Sequence, residues 1–142
     1  MNESAGIPVV LHAIIFSASI HQESVLKSRG VHQTALASDR LRHKGRALKL
    51  VRELVRYPAK PYIVDDLLMA IVYLAMNERA PLTGIVKDSS PFMPPLGHAQ
   101  WLDMYTGREV DLSHWNAVQA ILRQHGGIQK LTKYGIAWLI SL

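Results

Sequence analysis

Between Asp39 and Tyr57 the chain sorts its residues onto two opposite faces, and that split restricts what its 142 residues can fold into. Leu41, Ala47, Leu48, Val51, Leu54 and Val55 recur at helical spacing, while Arg42, Arg46, Lys49, Arg52 and Arg56 fall on the other side. A helix with one apolar face must lay that face against other elements, so the segment predicts a packed helical domain. Ser38 or Asp39 supplies an N-terminal cap through a side-chain oxygen. Pro58 ends the helix, because the residue before proline avoids the helical region.

The neighbouring segments supply the expected partners. Pro8 fits the first turn of a helix running from Val9 to about His21. Val10, Leu11, Ile14, Ile15, Phe16 and Ile20 make it apolar on most sides, the pattern of a helix in the middle of a bundle. Its small residues, Ala13, Ser17, Ala18 and Ser19, permit close helix contact, and Ser24 to Val31 reads as a weak helix or connector. A further helix opens at Pro61 to Asp66, where Asp65 and Asp66 lie near its positive end, and closes near Glu78 and Arg79. Ser113 caps a helix whose stripe is Trp115, Val118, Ile121 and Leu122, and Gly126-Gly127 stops it. Ile128 and Leu131 begin a short apolar turn, and Gly135 to Leu142 opens a last apolar helix.

Between these, residues 80–97 hold Pro81, Gly84, Pro91, Pro94, Pro95 and Gly97 and read as one long loop, followed by a short helix over 98–105 and a turn at Thr106-Gly107. No run alternates apolar and polar residues between hairpin turns, so no strand is expected. The predicted fold class is all-α: a multi-helix bundle with one long Pro-rich loop, residues 1–142 forming a single helical domain. The last of its helices, from Gly135, carries no stop signal before Leu142.

Composition narrows function mainly by exclusion. With no cysteine, the chain can build no disulfide framework, thiolate zinc cluster or thiol nucleophile. Seven histidines (His12, His21, His32, His43, His98, His114, His125) show no metal-ligand spacing. No phosphate loop, dinucleotide fingerprint or nucleophile elbow occurs, and Asp65-Asp66, adjacent on a helix, do not converge on one point. No catalytic residue, metal or cofactor is assigned, and the chain is not expected to be an enzyme. The run from Ile7 to Ile20 is shorter than a membrane span and broken by His12, and it lacks the basic start of a secretory signal, so no membrane is expected.

The net charge of +5 is concentrated rather than spread. Seven of the sixteen Lys and Arg, against two acids, lie between Asp39 and Tyr57, and the rest of the chain balances. Arg42, Arg46, Lys49, Arg52 and Arg56 are candidate phosphate contacts, or simply the solvated back of an amphipathic helix. No aromatic residue interleaves with them. Trp115, Trp138, Leu139 and Ile140 are candidate interface residues, since large apolar patches on a surface tend to be covered.

With the helices placed, the chain resembles the regulatory middle domain of fungal transcription factors of the binuclear zinc cluster class. The likeness rests on H-K-G-R-A-L-K-L-V-R-E-L-V from His43 to Val55 and D-D-L-L-M-A-I-V-Y-L-A-M-N-E from Asp65 to Glu78. It rests also on His114 preceding Gly126-Gly127, with Val9 to Ile20 as a fourth, looser match. Glu78 to His114 is longer than the family pattern, and Ala117 stands where a glycine is common. The resemblance implies that residues 1–142 are a fragment of a larger nuclear regulatory domain that acts through protein–protein or effector-ligand contacts, as a homo-oligomer or with another protein. DNA would be reached only indirectly, through a zinc cluster module absent from this chain. Two other readings stay open: a nucleic-acid-contacting helical module using the basic helix 39–57, which low-salt duplex binding would reveal, and a small-molecule-binding helical domain.

Overall fold

The computed structural model describes residues 6–31, 34–56, 61–77 and 109–141. They form helices α1 (Gly6–Ser28), α2 (Thr34–Arg56), α3 (Pro61–Asn77), α4 (Leu112–His125) and α5 (Ile136–Ser141), with a 3-10 turn at Ile128–Lys130. No extended strand occurs among the described residues, and the architecture is an all-α bundle. The Pro-rich stretch 80–97 and the expected helix over 98–105 lie outside the described residues.

The central helix is α3, which packs against every other helix. Ile63, Val64, Leu67, Leu68, Ala70, Ile71, Val72, Leu74 and Ala75 are all buried, so both of its sides are covered. One side joins Val118 and Leu122 of α4 with Ile136 and Ile140 of α5. The other joins Val9, Ala13, Phe16 and Ile20 of α1 and Ala47 of α2. Burying one such aliphatic side chain stabilises the fold by about 1.5–3 kcal/mol. Three alanines, Ala13, Ala47 and Ala70, are fully buried in this second cluster, one from each of three helices, and their size lets the backbones approach.

The apolar character of α1 therefore does not put it in the middle of the bundle, as its sequence predicts. Val9, Ala13, Phe16 and Ile20 point inward, while Ile7, Leu11 and Ile14 stay exposed on the opposite side. α1 also runs further than expected, as one helix through the anticipated connector. Ser19 and Ser24 donate to Ile15 O (2.7 Å) and Ile20 O (2.9 Å), and Lys27 pairs with Glu23 one turn back (3.0 Å). Gly30, at φ +72°, ends it. Because the helix continues past His21, the span Ile7–Lys27 is long and apolar enough to cross a membrane by length and composition alone, a test that the core helix of a soluble protein also passes.

α2 begins at Thr34, one turn before the expected caps. Leu41 and Val55, predicted to lie on its inner face, are exposed instead, because they sit at the edges of a stripe whose centre is Ala47, Leu48, Val51 and Leu54.

At α4 the cap is Asp111 rather than the predicted Ser113. Asp111 Oδ1 accepts from the N–H groups of Ser113 (2.9 Å) and His114 (3.1 Å), and its own N–H donates to Ala75 O at the end of α3 (2.9 Å). One residue thus satisfies the start of α4 and ties it to α3. The helix ends as the glycine pair predicts. Gly126 takes φ +97°, its N–H donates to Arg123 O, and the Gly127 N–H reaches back to Leu122 O (2.9 Å). These two bonds make a Schellman motif.

Candidate functional site

The turn between α4 and α5 is held by acids from α3. Asp65 is fully buried, and its Oδ2 accepts three hydrogen bonds: from Thr132 N (2.8 Å), Thr132 Oγ1 (2.7 Å) and Lys133 N (2.7 Å). Asp66, also buried, forms an ion pair with the Lys133 ammonium. The sequence accounts for both acids by the helix dipole, but they lie beyond the first turn of α3 and do something more specific. They clamp a loop 67 residues away, Asp65 by its main chain and Asp66 by its side chain. A buried carboxylate is stable only when hydrogen-bonded, so the clamp fixes where that loop can lie.

Just past the clamp the chain presents two aromatic side chains to solvent. Tyr134 is fully exposed and Trp138 is 67% exposed, while Ile136 and Ile140 of the same short helix are buried against α3 and α4. Gly135, at φ +84°, makes the bend between them. Of the four expected interface residues, Trp138 is thus the outward one. Trp115 and Leu139 are half-buried against the core, and Ile140 belongs to that core, because the helical period turns it to the same side as Ile136. The sequence marks an apolar edge from Tyr134 to Leu142 as one that a second copy or a further segment should cover, and Tyr134 stands exposed at its start.

The five basic residues are placed as their spacing predicts. Arg42, Arg46, Lys49, Arg52 and Arg56 are all exposed on the outer face of α2. Arg42 pairs with Asp39 at 3.0 Å, an exposed contact worth little. Arg40, on the inner flank, instead forms an ion pair with Glu23 of α1.

At one end of this face the two helices bring histidines together, a contact the sequence does not show. His12 Nδ1 and His43 Nδ1 lie 2.9 Å apart, with ring centroids 5.0 Å apart. Arg42 Nη2 is 3.4 Å from His43 Nε2. Burial lowers the pKa of His12, and the charges of His43, Arg46 and Arg42 lower it further. His114, by contrast, is tied to its own helix start: Nδ1 lies 3.1 Å from Asp111 Oδ1. That contact and above all the His114 backbone N–H hold the Asp111 carboxyl below the usual range. Among the described residues no three His, Cys, Asp or Glu side chains gather as a metal set.

No family model, no curated protein and no solved structure matches this chain.

Proposed function

We propose that this domain regulates transcription by protein contact, as the resemblance to the zinc cluster factors' middle domain implies, and that the surface around Tyr134 and Trp138 is where a second copy docks. One observation carries the reading: an exposed Tyr-Trp pair stands just past a turn that two buried acids clamp, Asp65 through the turn's main chain and Asp66 through the Lys133 ammonium. Tyrosine and tryptophan dominate the energetics of protein interfaces. A rigid mount lowers the entropy lost when such side chains are captured. The polar groups of the clamp face inward and hold the fold, so the reading assigns them no catalytic part.

A reporter assay tests the regulatory role. The domain is tethered to a heterologous DNA-binding module in yeast nuclei, and transcription is compared for the unmodified chain and Trp138→Ser. The expected result is a several-fold change in reporter output that Trp138→Ser abolishes with the protein level unchanged. Equal output from the tethered domain, the variant and the DNA-binding module alone contradicts the reading.

A further inference from the structure

We propose that the seam between α1 and α2 at His12, His43, Arg42 and Arg46 is an oxyanion site for a small phosphorylated molecule. This goes beyond the contact surface at Tyr134 and Trp138 and uses none of its residues.

The argument starts from the proton between the two imidazoles. Arg42 can only donate, so its contact with His43 makes Nε2 of that ring an acceptor. His43 then carries its proton on Nδ1 and donates to Nδ1 of His12, whose own proton sits on Nε2. The hydrogen-bonded imidazole pair therefore sits beside Arg42, and the charges of Arg42 and Arg46 act on His12. The groups whose charge acts on His12 all come from α2; α3 meets this seam through apolar side chains and Tyr73. Among the described residues the ion pair made to these four side chains is that of Arg42 with Asp39, which is itself largely exposed.

Such a cluster costs energy as it stands and gains it when an anion arrives. Two half-buried imidazoles and two exposed guanidinium groups are within reach of solvent, so the anion needs no opening of the fold. A phosphate group offers acceptor oxygens to the guanidinium groups and to a ring N–H, and its negative charge favours the protonated His12 that burial and the arginines now oppose. Arginine and protonated histidine donating together to one phosphate is a strong, charge-assisted arrangement. Lys49, Arg52 and Arg56 continue the basic face along α2, away from the histidines. They raise the local concentration of anions without closing the site.

The test titrates the full chain with inorganic pyrophosphate at pH 6.5, following the imidazole Cε1–H resonances by NMR and the affinity by calorimetry. Pyrophosphate should shift the His12 and His43 resonances in parallel with saturation and raise the pKa of His12. Arg46→Ala should weaken binding by roughly tenfold, the worth of one charge-assisted hydrogen bond. Arg52→Ala, equally exposed on the same helix, should weaken it by less than about twofold, the effect of a screened surface charge. Both variants keep the core intact, which circular dichroism checks. His12→Asn should abolish the coupled shift at His43.

Three outcomes overturn the proposal. The first is pyrophosphate leaving both histidine resonances unmoved. The second is equal weakening by Arg46→Ala and Arg52→Ala, which makes the face a diffuse charged surface. The third is duplex DNA or phosphatidylserine vesicles, run as parallel arms, binding and shifting the histidines where pyrophosphate does not, which assigns the face to a macromolecule.

Discussion

The two polar joints of this bundle are built on opposite terms. Where α3 meets the loop before α5, Asp65 is wholly buried and one of its oxygens takes three donors from a distant segment. Where α1 meets α2, the bridging groups are only partly covered: a histidine pair and, less exposed, the Glu23–Arg40 ion pair. The first joint can break only by leaving the buried Asp65 carboxylate without its donors. The second can be rewired by a proton or an anion from solvent. A bundle that needs one fixed surface and one responsive surface is served by that division, the fixed joint mounting Tyr134 and Trp138 and the responsive one lying under Arg42 and Arg46.

The largest expected effect comes from removing the fixed joint. Asp65→Ala strands the N–H groups of Thr132 and Lys133 and the Thr132 hydroxyl. Thr132 and Lys133 are exposed, so water can reach these donors once the carboxylate is gone, and the cost is the lost hydrogen bonds to a charged group at about 1.5–3 kcal/mol each, partly offset by that water. Urea unfolding should show a net loss of roughly 2–4 kcal/mol. Thr132→Val, which removes one donor only, should cost about 1 kcal/mol. A loss under about 1 kcal/mol for Asp65→Ala would mean that the clamp is dispensable.

Backbone strain gives the next contrast, between two glycines. Gly126 holds φ +97°, and the nearest side-chain atom to an added Cβ would be Lys130 Cγ at 3.4 Å. Space is therefore sufficient, and Gly126→Ala should lose about 1–2 kcal/mol from the left-handed backbone alone. Gly45 lies exposed inside α2 with nothing within 4 Å of an added Cβ. Gly45→Ala should gain about 0.5–1 kcal/mol by restricting the unfolded chain. Thermal unfolding of the two variants should move in opposite directions, and movement in the same direction would break the distinction.

Acid separates the two joints with the smallest effect. The folded state lowers the pKa of His12, so it binds fewer protons there than the unfolded chain. The associated stability is present above the ordinary imidazole value of about 6.5 and is lost as pH falls through the lower folded value. Asp111 is also lowered, so its share persists until pH falls below the ordinary carboxylate range. Stability followed by urea midpoint should therefore decline in two stages on acidification. His12→Phe should remove the first stage, and persistence of that stage in the variant would assign it elsewhere.

Most of the architecture was legible because it rests on local rules. The helical periods of α2 and α3, the glycine stop at Gly126-Gly127 and the exposed row of five bases all follow from residues within a few positions of each other. What escaped was long-range. Asp65 looks like a dipole residue until Thr132 is seen beside it, and His12 and His43 are 31 residues apart on different helices. α1 looked like the central helix because apolar content does not say which side meets a neighbour; Ile7, Leu11 and Ile14 are as hydrophobic as the residues that are buried. Ser113 lost the cap to Asp111 because the latter's carboxylate accepts two backbone N–H groups while its own main chain is anchored to α3. Trp138 and Ile140 could not be told apart without the register that Ile136 sets.

Sedimentation equilibrium on the purified chain, run over a range of concentrations beside Trp138→Ser, tests the contact surface most directly. The account predicts a concentration-dependent approach to twice the 15.9 kDa chain mass. It also predicts a variant that stays at single-chain mass with an unchanged unfolding midpoint. A single-chain mass for the unmodified protein at every concentration, or an identical dimer in the variant, would contradict it.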